Sequence, residues 1–291
     1  MSLEKSADSA SKLEAYSQNG KTVAVVLPTY CEVENIESII REIQELELNL
    51  LITVVDDSSP DGTAEIVKKL QKEYNNVLLV VRPQKLGLGT AIITAFRSIL
   101  SLENQPNYIM TMDADYSHNP RDIPRLINAA RSGCGLVIGS RYCKGGNIIG
   151  WHFMRRLISR IANIIAPIII GTKIHDCTSG MRCYSKSFVK AVLPNLHSQT
   201  YEIQIETIKQ AQLQGFSVKE IPITFENRKR GKSKLTKAEF RAFPSYIIRA
   251  RIGERVNFAP ESNYQNLLRI DLDMERGRML SNVYIYPREV F

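Results

Sequence analysis

The feature that most limits how this chain can fold is a repeated alternation of apolar runs of strand length with longer segments of helical period. The apolar runs are Thr22–Pro28, Leu50–Val55, Val77–Val81, Tyr108–Met112 and Leu136–Gly139. Each is continuous rather than alternating, as expected of a strand covered on both faces. Between the first two, Glu34–Leu48 places Ile36, Ile39, Ile40, Ile43 and Leu46 at helical spacing. Further helices are predicted from Thr63 to about Tyr74, over Thr90–Leu100 after Gly87-Leu88-Gly89, and near Arg121–Arg131. This order predicts βαβ units and an α/β, mostly parallel, Rossmann-like sheet flanked by helices.

The run Tyr108–Met112 stops on Asp113-Ala114-Asp115, two carboxylates one residue apart. An open α/β sheet binds ligands at the carboxyl ends of its strands, and alternation along an extended backbone aims Asp113 and Asp115 to one side. Like charges held that close need a cation, and hard cations such as Mg²⁺ or Mn²⁺ prefer oxygen ligands. A bare Asp-X-Asp is commonly a pair of solvated loop carboxylates. Here the strand end before it and the capping pair Asn119-Pro120 after it favour a site. Pro28-Thr29-Tyr30, Asp56-Asp57 and Ser140-Arg141 end other strands, so these ends are predicted to converge with Asp113-Ala114-Asp115 on one rim. Gly87-Leu88-Gly89 matches neither the dinucleotide fingerprint nor the phosphate loop, which argues against a dehydrogenase or an ATPase.

The second half reads less regularly. Phe153–Ile170 predicts an amphipathic helix carrying Arg155, Arg156 and Arg160; Tyr201–Gln214 predicts another. Val218–Phe225 predicts one strand, at an edge because of Pro222. Glu202 and Glu206, spaced i,i+4, read most simply as a pair on an amphipathic surface, with no catalytic role. His118 and His175 stand beside aspartates without metal-ligand company and read as structural or supporting groups. Ala238–Arg251 predicts a basic helix with Arg241, Arg249 and Arg251 among apolar residues.

The motifs also carry a resemblance. Val26-Leu27-Pro28-Thr29-Tyr30, Val55–Thr63, Lys85-Leu86-Gly87-Leu88-Gly89-Thr90 and Met112-Asp113-Ala114-Asp115 come in order. Gly139-Ser140-Arg141-Tyr142, Thr178-Ser179-Gly180-Met181-Arg182 and Gly231-Lys232-Ser233-Lys234-Leu235 follow. Together they cover about Lys21–Ile248 and resemble the inverting family 2 glycosyltransferases of the GT-A fold, within them the dolichol- or polyprenol-phosphate mannosyltransferases. The resemblance implies a single catalytic domain over residues 21–235. A flexible N-terminal arm (1–20) would precede it, and a basic amphipathic helix (236–251) and a C-terminal extension of unknown role (252–291) would follow.

It further implies that Pro28, Tyr30, Glu32, Asp57 and Asp113 hold the nucleoside of a nucleotide-sugar donor. Glu32 also reads simply as a charge at a helix start. The implied metal is Mg²⁺ or Mn²⁺, on Asp115 with Asp113. In some relatives a glutamine two residues after the second aspartate also serves the metal; Ser117 stands there in this chain and is the third residue of the implied metal set. Arg141, Arg155 and Ser159 match positions that hold the acceptor phosphate. Arg228 and Lys234 match a basic loop that closes over the diphosphate, and the catalytic residues so implied are Asp113, Asp115, Arg141 and Arg228. The implied reaction moves a hexose, most simply mannose from GDP-mannose, onto a polyprenyl monophosphate. A soluble relative using another nucleotide sugar, such as UDP-glucose, and a non-lipid acceptor stays open.

Net charge +8 and a pI near 9.2 favour anionic partners. Nucleic acid fits poorly, because Arg228–Lys234 lacks interleaved stacking aromatics and the acidic strand ends repel phosphate. The five cysteines lack metal-ligand spacing and read as reduced thiols of a cytosolic protein. No stretch reads as a signal peptide or membrane span, so the expected location is the cytosolic face of a membrane, held peripherally or by a small membrane partner.

Overall fold

The computed structural model describes residues 22–228 and the strand Val283–Ile285. The expected arm at 1–20, the helix at 236–251, most of 252–291 and Lys234 lie outside the described residues.

The predicted alternation is present. Val23–Thr29 (β1), Leu50–Asp56 (β2), Val77–Val81 (β3) and Tyr108–Thr111 (β4) lie parallel in the order β3-β2-β1-β4. Ile36–Gln44 (α1), Thr63–Glu73 (α2) and Leu88–Leu100 (α3) connect them. After β4, a 3₁₀ turn at Pro120–Asp122 leads into Ile123–Ala130 (α4). The Asn119 side chain caps it by accepting from the Arg121 N–H at 3.0 Å, as the Asn-Pro pair predicts. Helices cover both faces of the sheet. Ile36, Ile39, Ile40 and Ile43 of α1 pack with Val67, Leu70, Leu126 and Val25 on one side. Ile92, Phe96 and Ile99 of α3 pack with Ala24 and Val26 on the other. Alternate residues of β1 thus serve opposite cores, which explains its unbroken apolar run.

The second half departs from the sequence expectations in several ways. First, Arg182–Ser185 (β7) is an unpredicted strand inserted antiparallel between β4 and Leu136–Ser140 (β5). Its signal is masked because it begins on a fully buried arginine, whose guanidinium donates to the carbonyls of Cys177, Ser179 and Gln204 and to Thr207 Oγ1. Second, the single strand expected over Val218–Phe225 divides. Val218–Pro222 (β8) pairs parallel with β5 at the sheet edge, as Pro222 suggests, and Thr224–Glu226 (β9) pairs with Asn147–Ile149 (β6) in a separate two-stranded sheet. Third, Val283–Ile285 (β10) runs parallel to β3 at the opposite edge, so the region expected as an extension of unknown role contributes to the sheet.

The helices Phe153–Ile170 (α5), Lys186–Val192 (α6) and Ile203–Leu213 (α7) complete the described chain, α6 having gone unpredicted. Glu202 and Glu206 are not a surface pair. Both are buried, and each holds backbone: Glu206 accepts from the N–H groups of His197 and Ser198, and Glu202 from those of Gln199 and Thr200. The loop so tied accepts, at Gln199 O, the N–H groups of Gly89 and Thr90 at the start of α3. Burial pushes the Glu206 carboxyl above its ordinary range against these hydrogen bonds.

This docking leaves no room for a side chain at Gly89, where a methyl group would run into the Ser198 carbonyl. The obstruction is backbone on both sides, so it cannot rotate away. Gly89→Ala is therefore expected to destabilise the fold by about 3 kcal/mol. Ala placed at Gly133, which has open space but a φ of +93°, should act only through backbone strain. Thermal denaturation of the two variants checks this; an unperturbed Gly89→Ala would refute the close packing of α3 on the loop.

Candidate functional site

The carboxyl ends of β1, β2 and β4 open into one cleft, lined by Pro28, Thr29, Tyr30, Glu32, Asp57, Lys85, Gly87, Leu88, Ala91, Asp113, Ala114, Asp115, Tyr201 and Arg228. The convergence expected of three strand ends therefore holds. The fourth, at β5, differs. Arg141 sits at the same rim but does not line the cleft, because Asp176 claims its guanidinium and its backbone N–H.

Asp115 is buried and Asp113 half-exposed. β4 ends at Thr111, so the pair leaves the strand on a turn in which Tyr116 adopts a positive φ of 62°. Ser117 closes that turn, its N–H and hydroxyl both donating to Asp115 Oδ1, at 3.0 and 2.5 Å. The Arg228 guanidinium lies 2.9 Å from Asp115 Oδ2. The packed surroundings of the partly exposed Asp113 carboxyl desolvate it and push it up; His118 opposes this and Asp115 adds to it. His118 is itself fully buried, with Nδ1 accepting from the Asp113 N–H at 3.0 Å, the supporting role expected of it. Gly180, whose carbonyl accepts from Thr111, keeps the space beside Asp113 Oδ1 free of a side chain.

Asp57 lines the cleft and is also tied from behind. Arg82 Nε donates to Asp57 Oδ1 at 2.6 Å, and the Leu86 N–H to Oδ2 at 3.0 Å. Burial raises the Asp57 carboxyl above its usual range despite the Arg82 cation. Arg82 also grips the glycine turn through Gly87 O and Thr90 Oγ1. Sequence reasoning missed it, although a charged residue directly after an apolar strand was a usable signal. Asp56 builds the turn instead, accepting from Thr29, Ser59 N–H and Ser59 Oγ. Glu32 lines the cleft and accepts from Asn35 Nδ2 near the start of α1. Lys85 Nζ lies 5.1 Å from the centre of the Tyr30 ring.

A basic and aromatic cluster adjoins the acidic pair. Burial lowers the Arg141 guanidinium, but the attraction and hydrogen bonds of Asp176 outweigh this and set its pKa above the ordinary value; Asp176 is correspondingly lowered. Tyr142, Trp151 and Phe225 surround Arg141, ring centres 5.4–5.5 Å from its Cζ. Arg155, at the start of α5, stacks its Cζ 4.1 Å over Trp151 and donates to Asn227 Oδ1 at 3.2 Å. Although Arg155 is exposed as a residue, partial desolvation of its guanidinium, then Arg228 and Arg141, depress its pKa, so these cations crowd one another. Ser159, one turn on, accepts from the Tyr142 hydroxyl at 2.8 Å rather than standing free beside Arg155. His175 lies apart from the cleft, against Glu220 at 2.7 Å.

No group of three His, Cys, Asp or Glu suited to a metal occurs among the described residues. The donor set at Asp113 and Asp115 still fits a hard divalent cation, whose remaining positions a diphosphate and water would fill. Asp115 already takes a cationic partner in Arg228.

Fold and cleft together define a GT-A type glycosyltransferase. The family model for glycosyl transferase family 2 matches residues 24–193, more than half of the chain, and the protein belongs to that family. It is 36% identical over 219 residues to a polyprenol monophosphomannose synthase of Mycolicibacterium smegmatis, covering 75% of this chain and 82% of the relative. It is also 36% identical over 216 residues to an undecaprenyl-phosphate mannosyltransferase of Micrococcus luteus, covering 74% and 87%. Among solved structures, glucosyl-3-phosphoglycerate synthase of Mycobacterium tuberculosis, in complex with Mn²⁺, UDP and phosphoglyceric acid, superposes with a TM-score of 0.57 at 18% identity over 85% of this chain and 82% of that one. A Pyrobaculum calidifontis mannosyltransferase in complex with GDP-Man and Mn²⁺ gives 0.50 at 15% identity, over 86% and 81%. These two likenesses establish the fold.

The buried Arg141–Asp176 pair yields a test of stability. Asp176→Asn strands a buried guanidinium and is expected to destabilise the protein by about 3 kcal/mol around neutral pH. Because the folded carboxyl titrates below 3.8, its contribution is complete above that pH and fades as pH falls through the folded value. Denaturation curves of wild type and variant should converge in strong acid; a constant gap would refute the pairing.

Proposed function

We propose that the protein transfers mannose from GDP-mannose to a polyprenyl monophosphate, with inversion, at a membrane surface. The observation that carries this reading is the juxtaposition of an acidic cleft rim, an adjoining cluster of arginines and an exposed apolar helix face that carries one of them. Phe153, Met154, Leu157, Ile158, Ile161, Ile164, Ile165 and Ile168 of α5 are all exposed, and only Asn163 and Ala166 of that helix are buried. Arg155 lies on the same helix, so a phosphate bound at the arginines has an apolar surface beside it for the attached chain. The names of the 36% identical relatives support the same acceptor and sugar.

In this reading Pro28, Tyr30, Glu32, Asp57 and Asp113 hold the nucleoside, and Arg228 with Lys234 screens the diphosphate. Asp115 and Asp113, with Ser117 bracing Asp115, would hold Mg²⁺ or Mn²⁺, which neutralises diphosphate charge. Arg141, Arg155 and Ser159 face the acceptor. A phosphomonoester has its second pKa at about 6 and is largely dianionic at neutral pH, so its oxygen attacks without a general base. That oxygen bonds to the anomeric carbon from the face opposite the leaving group, and the bond from that carbon to the diphosphate oxygen breaks. The residues thus act by alignment and electrostatics. No described helix is long and apolar enough to cross a membrane; α5 would lie along the surface.

Transfer should be assayed with GDP- and UDP-sugars, with and without polyprenyl phosphate. GDP-mannose and the lipid are expected to give product. Transfer only to a soluble phosphorylated acceptor would replace the lipid reading. Asp115→Asn should lower kcat at least about a hundredfold, and EDTA should silence the wild type until Mg²⁺ or Mn²⁺ returns. Full turnover in EDTA would remove the metal from the reading. Ile161→Asp with Ile168→Asp should abolish flotation with anionic liposomes while sparing GDP-mannose binding; undiminished flotation would move the membrane contact elsewhere.

A further inference from the structure

Trp151 has no place in the machinery described so far, yet it touches both cationic ends of the acceptor region. One neighbour is Arg141, with Cζ 5.5 Å from the ring centre; the other is Arg155, at 4.1 Å. Phe225 braces the ring edge-on, centroids 5.3 Å apart at 75°. The two arginines differ in how they are held. Arg141 is fixed by Asp176 through the backbone N–H and two guanidinium nitrogens. Arg155 is exposed, ion-pairs with no carboxylate among the described residues, and is held only by the indole and Asn227. An arginine side chain has several free torsions, so an unbraced Arg155 would sample many positions. Repulsion from Arg141 and Arg228 would also drive it outward.

Trp151 also keeps a buried indole N–H with no hydrogen-bond partner among the described residues. A buried donor left unmade costs about 1–3 kcal/mol, so a merely structural ring here would sit better as phenylalanine. Holding guanidinium groups gives the larger indole face a reason to be present, since tryptophan is the strongest aromatic partner of a cation.

We propose that Trp151 is a positioning residue: an indole platform that holds the Arg155 guanidinium beside Arg141, pre-forming the receptor for the phosphate group of the acceptor. This deepens the acceptor site proposed above and rests on it. The ring stays off the reacting atoms and acts by removing the disorder and repulsion that a phosphate would otherwise have to overcome on binding.

Trp151 is the single tryptophan of the chain, so its fluorescence reports this site without labelling. Full-length protein is titrated with farnesyl phosphate in detergent micelles and, separately, with glycerol phosphate in buffer. A saturable change in emission that Arg155→Ala abolishes is expected; response to farnesyl phosphate alone indicates lipid recognition, and response to both indicates recognition of the phosphate group. Kinetically, Trp151→Leu should raise the acceptor KM about tenfold with kcat within about twofold, leaving GDP-mannose affinity by calorimetry unchanged. Trp151→Phe, which keeps a smaller platform, should recover most of the loss. The proposal is overturned by an unchanged acceptor KM in Trp151→Leu, by an equal loss of donor affinity, or by a Phe variant as impaired as Leu. Should sugar never reach farnesyl phosphate, the lipid-acceptor reading falls. A saturable, Arg155-dependent response to glycerol phosphate would still uphold the platform, and silence toward both probes would end it.

Discussion

A carboxylate taken out of water needs a cation, and the rim of this sheet is arranged around that requirement. Asp57, Asp115 and Asp176 are buried at or near the carboxyl ends of the strands, and each has an arginine partner: Arg82, Arg228 and Arg141. Unpaired, each charge would be strongly destabilising; paired, each arginine is drawn to a fixed place. The acids thus do more than await a ligand. They organise the basic residues that an anionic substrate needs.

The pairs differ in permanence. Arg82 and Arg141 are nearly inaccessible, and both are anchored by further hydrogen bonds, to Thr90 and Gly87 in one case and to Thr178 in the other. Arg228 is more open and meets Asp115 where the cleft faces solvent. Such a graded set suits a site in which the framework stays fixed while one cation exchanges partners as charged substrates arrive. The Arg82 pair reaches further still. It binds the glycine turn to the strand end, and that turn meets the loop held by Glu202 and Glu206. Buried acids therefore hold the glycine turn, which lines the cleft, from two sides in sequence.

Beyond the rim, chemistry changes over a short span. The acidic pair gives way to arginines stacked on Trp151 and Phe225, and these to the apolar face of α5. A ligand bearing a diphosphate, a phosphate and a hydrocarbon would meet complementary surface in that order. The family assignment makes the first of these a sugar donor. Charge and apolarity arranged in sequence suit the lipid-linked acceptor proposed above.

Much of this was legible from the chain alone. The unbroken runs at β1, β2 and β3 dictate doubly covered parallel strands, because each residue must be apolar when both faces are buried. The Asp113-Ala114-Asp115 ending marks the ligand edge, since strand ends are where an open sheet leaves a crevice. What the chain alone left undetermined concerns residues whose role depends on distant partners. Glu202 and Glu206 have the spacing of a surface pair, and only the folded loop at 197–200 reveals the backbone N–H groups that hold them inside. Arg141 reads as a lone cation at a strand end, and only the fold shows Asp176, 35 residues away, fixing it in place. β7 is invisible because its buried arginine is satisfied by carbonyls from other segments. Local pattern records what a residue avoids or prefers; tertiary structure decides which partner it finds, because hydrogen bonds and ion pairs are made across the chain.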